Sequence, residues 1–142
     1  MELWPGEIRL ATDEDGPKIG QLYKECDWPD HGADWTVPDI GKWWIVAELE
    51  GKMVGAMQMI ASKPFGYIGD ILVHPEERDR TFQSLGSLAR LFFLTAMAVL
   101  RQAGVEIFMG IVADSQPEFK DVLCRHGAVK LGHYELLARR TG

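Results

Sequence analysis

A mixed α/β (α+β) domain on a mostly antiparallel sheet is the fold class predicted here, and three observations in the chain predict it. Two strand-like runs, Trp43 to Leu49 and Met53 to Ala61, meet at Glu50-Gly51-Lys52, a compact hairpin signal, and a third run, Tyr67 to Val73, extends them into a meander. Helical start signals lie on both sides of that meander, at Thr12 and beyond Pro75. The second helix separates the Tyr67 strand from a further strand at Val105 to Ala113, and a right-handed crossover of that kind makes the two strands parallel.

Each element has a local reason. Glu7 to Ala11 reads as a short strand, and Thr12 with Asp15 three positions on forms a capping-box start for a helix through about Glu25. Ile19, Leu22, Tyr23 and Cys26 then share one face of it. Asp27 to Lys42 is rich in proline and glycine and reads as loop around Trp28, His31 and Trp35. Met53, Met57 and Met59 alternate on one strand face, which core packing explains. Ser62 to Gly66 is a turn. The helix from Leu85 to Gln102 is apolar on almost every side after Leu91, so both of its faces are expected to be covered, and Gly104 ends it. Ser115-x-x-Glu118 with Pro117 starts another helix, Gly127 closes it, and Ala128 to Ala138 reads as a last strand.

The 142 residues suit one domain, residues 1–142, large enough to bury a core without metal or disulfide support. Hydrophobic content of 46% with 25% charge places the chain among soluble globular proteins. Cys26 and Cys124 follow no metal-ligand spacing, which suggests reduced thiols and a cytoplasmic location. No signal peptide is visible, and the longest apolar run, Leu91 to Leu100, falls well short of a membrane span, so no membrane partner is expected. A net charge of −6 speaks against nucleic acid and favours a cationic acceptor. His31, His74, His126 and His133 form no ligand set by spacing, and no metal, Walker or dinucleotide motif is present.

The densest signal runs from Tyr67 to Gly104. An apolar strand, YIGDILVHP, stops at Pro75; a charged loop, EERDRTFQS, follows; then the long helix begins. Helix-start amides lack intrahelical partners and carry the positive end of the dipole, and Arg78 and Arg80 add several donors each, so the arrangement suits a phosphate-bearing ligand. The competing reading is a solvated loop in which Glu76, Glu77 and Asp79 cancel the arginines.

The words ILVHPEERDR, Ile71 to Arg80, resemble the central motif of the GNAT superfamily of N-acetyltransferases, where a strand end leads through an arginine and glycine loop into the acetyl-CoA-binding helix. The element order resembles that family too, over nearly the whole chain. Asp79, Thr81 and Gln83 stand where the motif carries glycines, and a second register beginning at Gln83 reaches Gly86 and then Leu88. The resemblance implies a six- to seven-stranded sheet flanked by helices, with a splayed parallel pair at its centre. It implies coenzyme A held by the backbone of Ile71, Leu72 and Val73, by Arg78 and Arg80, and by Gln83, Ser84, Gly86 and Ser87.

Transfer of an acetyl group to an amine needs a base for the nucleophile and a proton for the departing thiolate. In the family the acid is a helix tyrosine; Leu123 occupies that position here. Asp70, His74 and Tyr134 are the substitute candidates, against plainer readings as a turn-capping carboxylate, a solvent-facing histidine and a core aromatic. Cys124, beside Leu123, reads as an inert half-buried thiol. Of the five tryptophans, those at 28, 35, 43 and 44 border the acceptor cleft in the family arrangement; two or more of them are expected in the core. The expected function is acetyl-CoA-dependent transfer to a small-molecule or peptide amine by direct attack in a ternary complex. A GNAT-fold binding or structural module with little activity is the alternative, and a protein binding another phosphorylated metabolite a third. A homodimer is left open.

Overall fold

The structure is a computed structural model that describes residues 4–26, 44–77, 88–110 and 117–132. Its strands are β1 (Glu7–Leu10), β2 (Trp44–Leu49), β3 (Lys52–Ser62), β4 (Phe65–Val73) and β5 (Ile107–Gly110). Its helices are α1 (Gly16–Glu25), α2 (Leu88–Gln102) and α3 (Pro117–Arg125), with a 3-10 turn at Asp13–Asp15 leading into α1. The sheet order is β1-β2-β3-β4-β5, and every pair is antiparallel except β4 with β5. The predicted meander and the parallel crossover are both present.

The local signals account for most boundaries. Asp15 accepts the Thr12 backbone N–H at 2.7 Å while its own N–H donates to the Thr12 carbonyl, which ties down the entry to α1. Glu50 and Gly51, at φ of 53° and 77°, form the two-residue link of the β2–β3 hairpin, the paired positive values that such a link requires. Gly104 and Gly127, at φ of 83° and 93°, end α2 and α3 with the same double bond pattern: Val105 N–H to Leu100 and Gly104 N–H to Arg101, then Ala128 N–H to Leu123 and Gly127 N–H to Cys124.

Two cores flank the sheet. Phe92, Phe93, Ala96, Leu88 and Leu100 of α2 pack with Leu123 of α3 against Ile45, Ala47, Val54, Met57, Met59 and Ile68. On the other face, Ile19, Leu22 and Tyr23 of α1 pack against Trp44, Val46, Met53, Ala56 and Leu72. Trp44 is thus core, while Trp28, Trp35 and Trp43 lie outside the described residues.

Four expectations need correction. Five strands, not six or seven, are present among the described residues; Ala128 to Leu131 carries no strand, because the Gly127 cap turns the chain out with Val129 and Leu131 exposed, and 133–138 lie outside the described residues. Met53 sits on the opposite face from Met57 and Met59: the β2–β3 register passes from Ala47↔Gly55 to Glu48↔Met53, so Val54 is an extra residue that reverses the alternation. One side of α2 is open to solvent, with Leu94 40% and Met97 39% exposed, since the sheet and α3 cover only the stripe containing Phe92, Phe93 and Leu100. Cys124 is exposed, not half-buried. No helix among the described residues is long and apolar enough to cross a membrane.

Candidate functional site

A second bulge decides where the candidate carboxylate points. The β3–β4 register passes from Met57↔Ile71 to Met59↔Ile68, so Gln58 of β3 faces both Gly69 and Asp70 of β4. Ile68 therefore packs in the α2 core, Ile71 and Val73 pack against that same core, and Leu72 is buried on the α1 side. Without the extra residue Asp70 would share the face of Ile68 and meet the α2 core. Gly69 makes the close pairing feasible, because a Cβ there would lie 2.6 Å from Gln58 Oε1.

On the α1 side Asp70 has a partner. The Tyr23 hydroxyl donates to Asp70 Oδ2 at 2.7 Å. Tyr23 is buried, with its ring edge-on to Trp44 at 6.2 Å between centroids. Burial first, and then the hydrogen bond to Asp70, push its phenol far above the ordinary range, so it stays protonated and remains a donor. Helical periodicity marked Tyr23 only as a face residue. The signal that could have found its role is that a buried tyrosine hydroxyl needs an acceptor and Asp70 interrupts an apolar strand.

The seam between α1 and β4 continues toward the strand end. Cys26 Sγ donates to the Val73 carbonyl at 3.4 Å. His74 continues the β3 pairing through its N–H to the Val54 carbonyl, and its ring is clamped: Nδ1 accepts the Glu76 N–H at 3.2 Å. Its Nε2 lies 2.7 Å from Glu25 Oε2 and 3.3 Å from Lys52 Nζ. Lys52 Nζ lies 3.9 Å from the same carboxylate oxygen, which is shielded from solvent. His74 is therefore engaged by α1 and by its own turn, and is mostly buried with its side chain 12% exposed, not solvent-facing.

Among the described residues the β4–β5 register runs from Phe65↔Ile107 to Ile68↔Gly110, while β4 continues to Val73. Just past the strand, Glu77 is buried, and its Oε1 accepts the Trp4 indole N–H at 3.2 Å. Leu123 is buried in the α2 core, so its position contributes packing and no proton. Arg78, Arg80, Gln83, Ser84, Gly86, Ser87 and Tyr134 lie outside the described residues.

Comparison with solved structures places this arrangement. The aminoglycoside N-acetyltransferase AAC(6')-Iy, solved with a bisubstrate analogue of CoA and acetylneamine, superposes with a TM-score of 0.71 at 16% identity, over 96% of this chain and 99% of that one. An acetyltransferase of the GNAT family from Streptococcus pneumoniae superposes with a TM-score of 0.67 at 14% identity, over 90% and 87%. The chain has the GNAT acetyltransferase fold. The diaminobutyrate acetyltransferase EctA from Paenibacillus lautus, solved with its substrate and coenzyme A, shares this GNAT fold at a TM-score of 0.64 and 16% identity, over 85% and 74%. No family model and no curated protein matches the sequence, so the GNAT likeness lives in the backbone course and hardly at all in side-chain identity.

Proposed function

We propose that the protein is an acetyl-CoA-dependent N-acetyltransferase that acylates a small-molecule amine by direct attack in a ternary complex. The observation that carries this reading is the near-complete superposition on AAC(6')-Iy, whose structure holds a conjugate of CoA and an acetylated amine, combined with a β4 carboxylate held on the α1 side by the Tyr23 hydroxyl. Acetyl-CoA, when bound, supplies the acyl group as a thioester. Asp70 to Val73 would meet its amide arm through main-chain groups, and the loop bearing Arg78, Arg80, Ser84, Gly86 and Ser87 would meet its phosphates.

Asp70 is the residue we assign as base. Its carboxylate accepts the proton that the acceptor nitrogen loses as the C–N bond forms and the donor's C–S bond breaks, directly or through a water, and that proton passes on to the departing thiolate. His74 is assigned to holding β4 against α1, because both ring nitrogens are already engaged. Tyr134 is kept as a candidate acid for the thiolate.

Thermal unfolding with and without acetyl-CoA tests the donor. At 100 times its dissociation constant a ligand binding only the folded state adds about 2.7 kcal/mol. An upward shift, reduced in an Arg78→Ala, Arg80→Ala variant, is expected, and an unchanged midpoint at millimolar donor refutes the reading. Acceptor-dependent thiol release over a panel of amines then separates a transferase from a binding module. The buried Leu123 in place of a tyrosine favours the module, as do Asp79, Thr81 and Gln83 at the motif's glycine positions.

A further inference from the structure

We infer that Tyr23 is a positioning residue for amine acylation: its hydroxyl holds the Asp70 carboxylate in the orientation that serves the acceptor nitrogen. The inference rests on the transferase reading above and adds a residue from a different element, α1, to the reaction. Three observations converge on it. The bulge at Gly69 and Asp70 swings this one acidic side chain onto the α1 face, between Ile68 and Ile71, which both face the α2 core. There the Tyr23 hydroxyl meets Oδ2 at 2.7 Å. Tyr23 is itself buried in the α1 core with its ring edge-on to Trp44, which sets where its hydroxyl sits.

The chemistry needs such a constraint. A carboxylate on a strand has two torsions free, and a base is effective only when held within hydrogen-bond reach of the nitrogen it serves. Tyr23 engages Oδ2 with a single donor, and the carboxylate's other oxygen, Oδ1, is the one this geometry leaves to the acceptor or to a water between them. Tyr23 touches neither substrate in this scheme; it acts through Asp70.

The test is a double-mutant cycle on acceptor-dependent thiol release, using the full chain with acetyl-CoA and the amine panel. Tyr23→Phe keeps the ring and removes the hydroxyl. It should lower kcat about 10-fold, in the range seen when an outer partner of a reactive group is lost, with the KM for acetyl-CoA and the acetyl-CoA-induced thermal shift unchanged. Asp70→Asn should lower kcat about 100-fold or more, and adding Tyr23→Phe to it should cost nothing further. A packing role for the hydroxyl would instead give losses that multiply, or a Tyr23→Phe variant indistinguishable from wild type, and either result overturns the inference while leaving an active transferase. A wild type without acceptor-dependent thiol release overturns the transferase reading, and the inference with it.

Discussion

At the scale of the residue, charge is concentrated where α1 meets the sheet edge. Arg9 of β1 forks onto Asp15, with Nη1 to Oδ2 at 2.7 Å and Nη2 to Oδ1 at 2.9 Å, and also reaches Glu48 Oε1 of β2 at 2.6 Å. Asp15 is 2% exposed, so its charge persists only because this guanidinium and the Thr12 N–H answer it. The Arg9 hydrogen bond is the largest cause holding the Asp15 carboxyl down, from 3.8 to about 2. A carboxyl depressed in the folded state stabilises fully above its unfolded value and loses that contribution as pH falls through the folded one. Stability should therefore decline by on the order of 2 kcal/mol between about pH 4 and pH 2 through this group. Chemical denaturation across that window should show the decline, and Asp15→Asn should remove most of it.

At the scale of the element, two bulges set the faces of β3 and β4. Each inserts one residue and so exchanges the faces on which the following side chains lie, which is why Met53 leaves the company of Met57 and why Asp70 joins α1. Gly55 sits beside the first of them, against α2. A Cβ there would lie 2.8 Å from Phe92 Cζ and 3.1 Å from Leu88 Cδ2, and both side chains are fully buried with nowhere to withdraw. Gly55→Ala should therefore destabilise by about 1–3 kcal/mol, the usual cost of overpacking. Urea unfolding checks it, with a lowered midpoint and an unchanged slope expected; a neutral result would mean that α2 stands off the sheet.

At the scale of the whole molecule, the net charge of −6 acts on how the acceptor arrives. A long-range field speeds the encounter with a cation and is screened within about 8–10 Å at physiological salt. For a polyamine acceptor, kcat/KM should fall several-fold between low and moderate ionic strength while kcat holds. A neutral monoamine of similar size should show no such slope in the same steady-state measurement, and equal slopes for both would remove steering from the account.

The sequence by itself determined the elements and their order, because hairpin, capping and helix-stop chemistry are local: Glu50-Gly51, Thr12 with Asp15, Gly104 and Gly127 each dictate backbone conformation within a few positions. It also pointed to Asp70 as a lone acid on an apolar strand. What it could not decide is facing and partnership. A bulge depends on how two strands align and leaves little trace in one of them, so the side of the sheet that Asp70 occupies was settled only by the β3–β4 register. The pairing of Tyr23 with Asp70 and of Glu25 with His74 joins residues far apart in the chain. Only the packing of α1 across β4 brings them within hydrogen-bond distance, and only there do two unremarkable polar side chains become an oriented carboxylate.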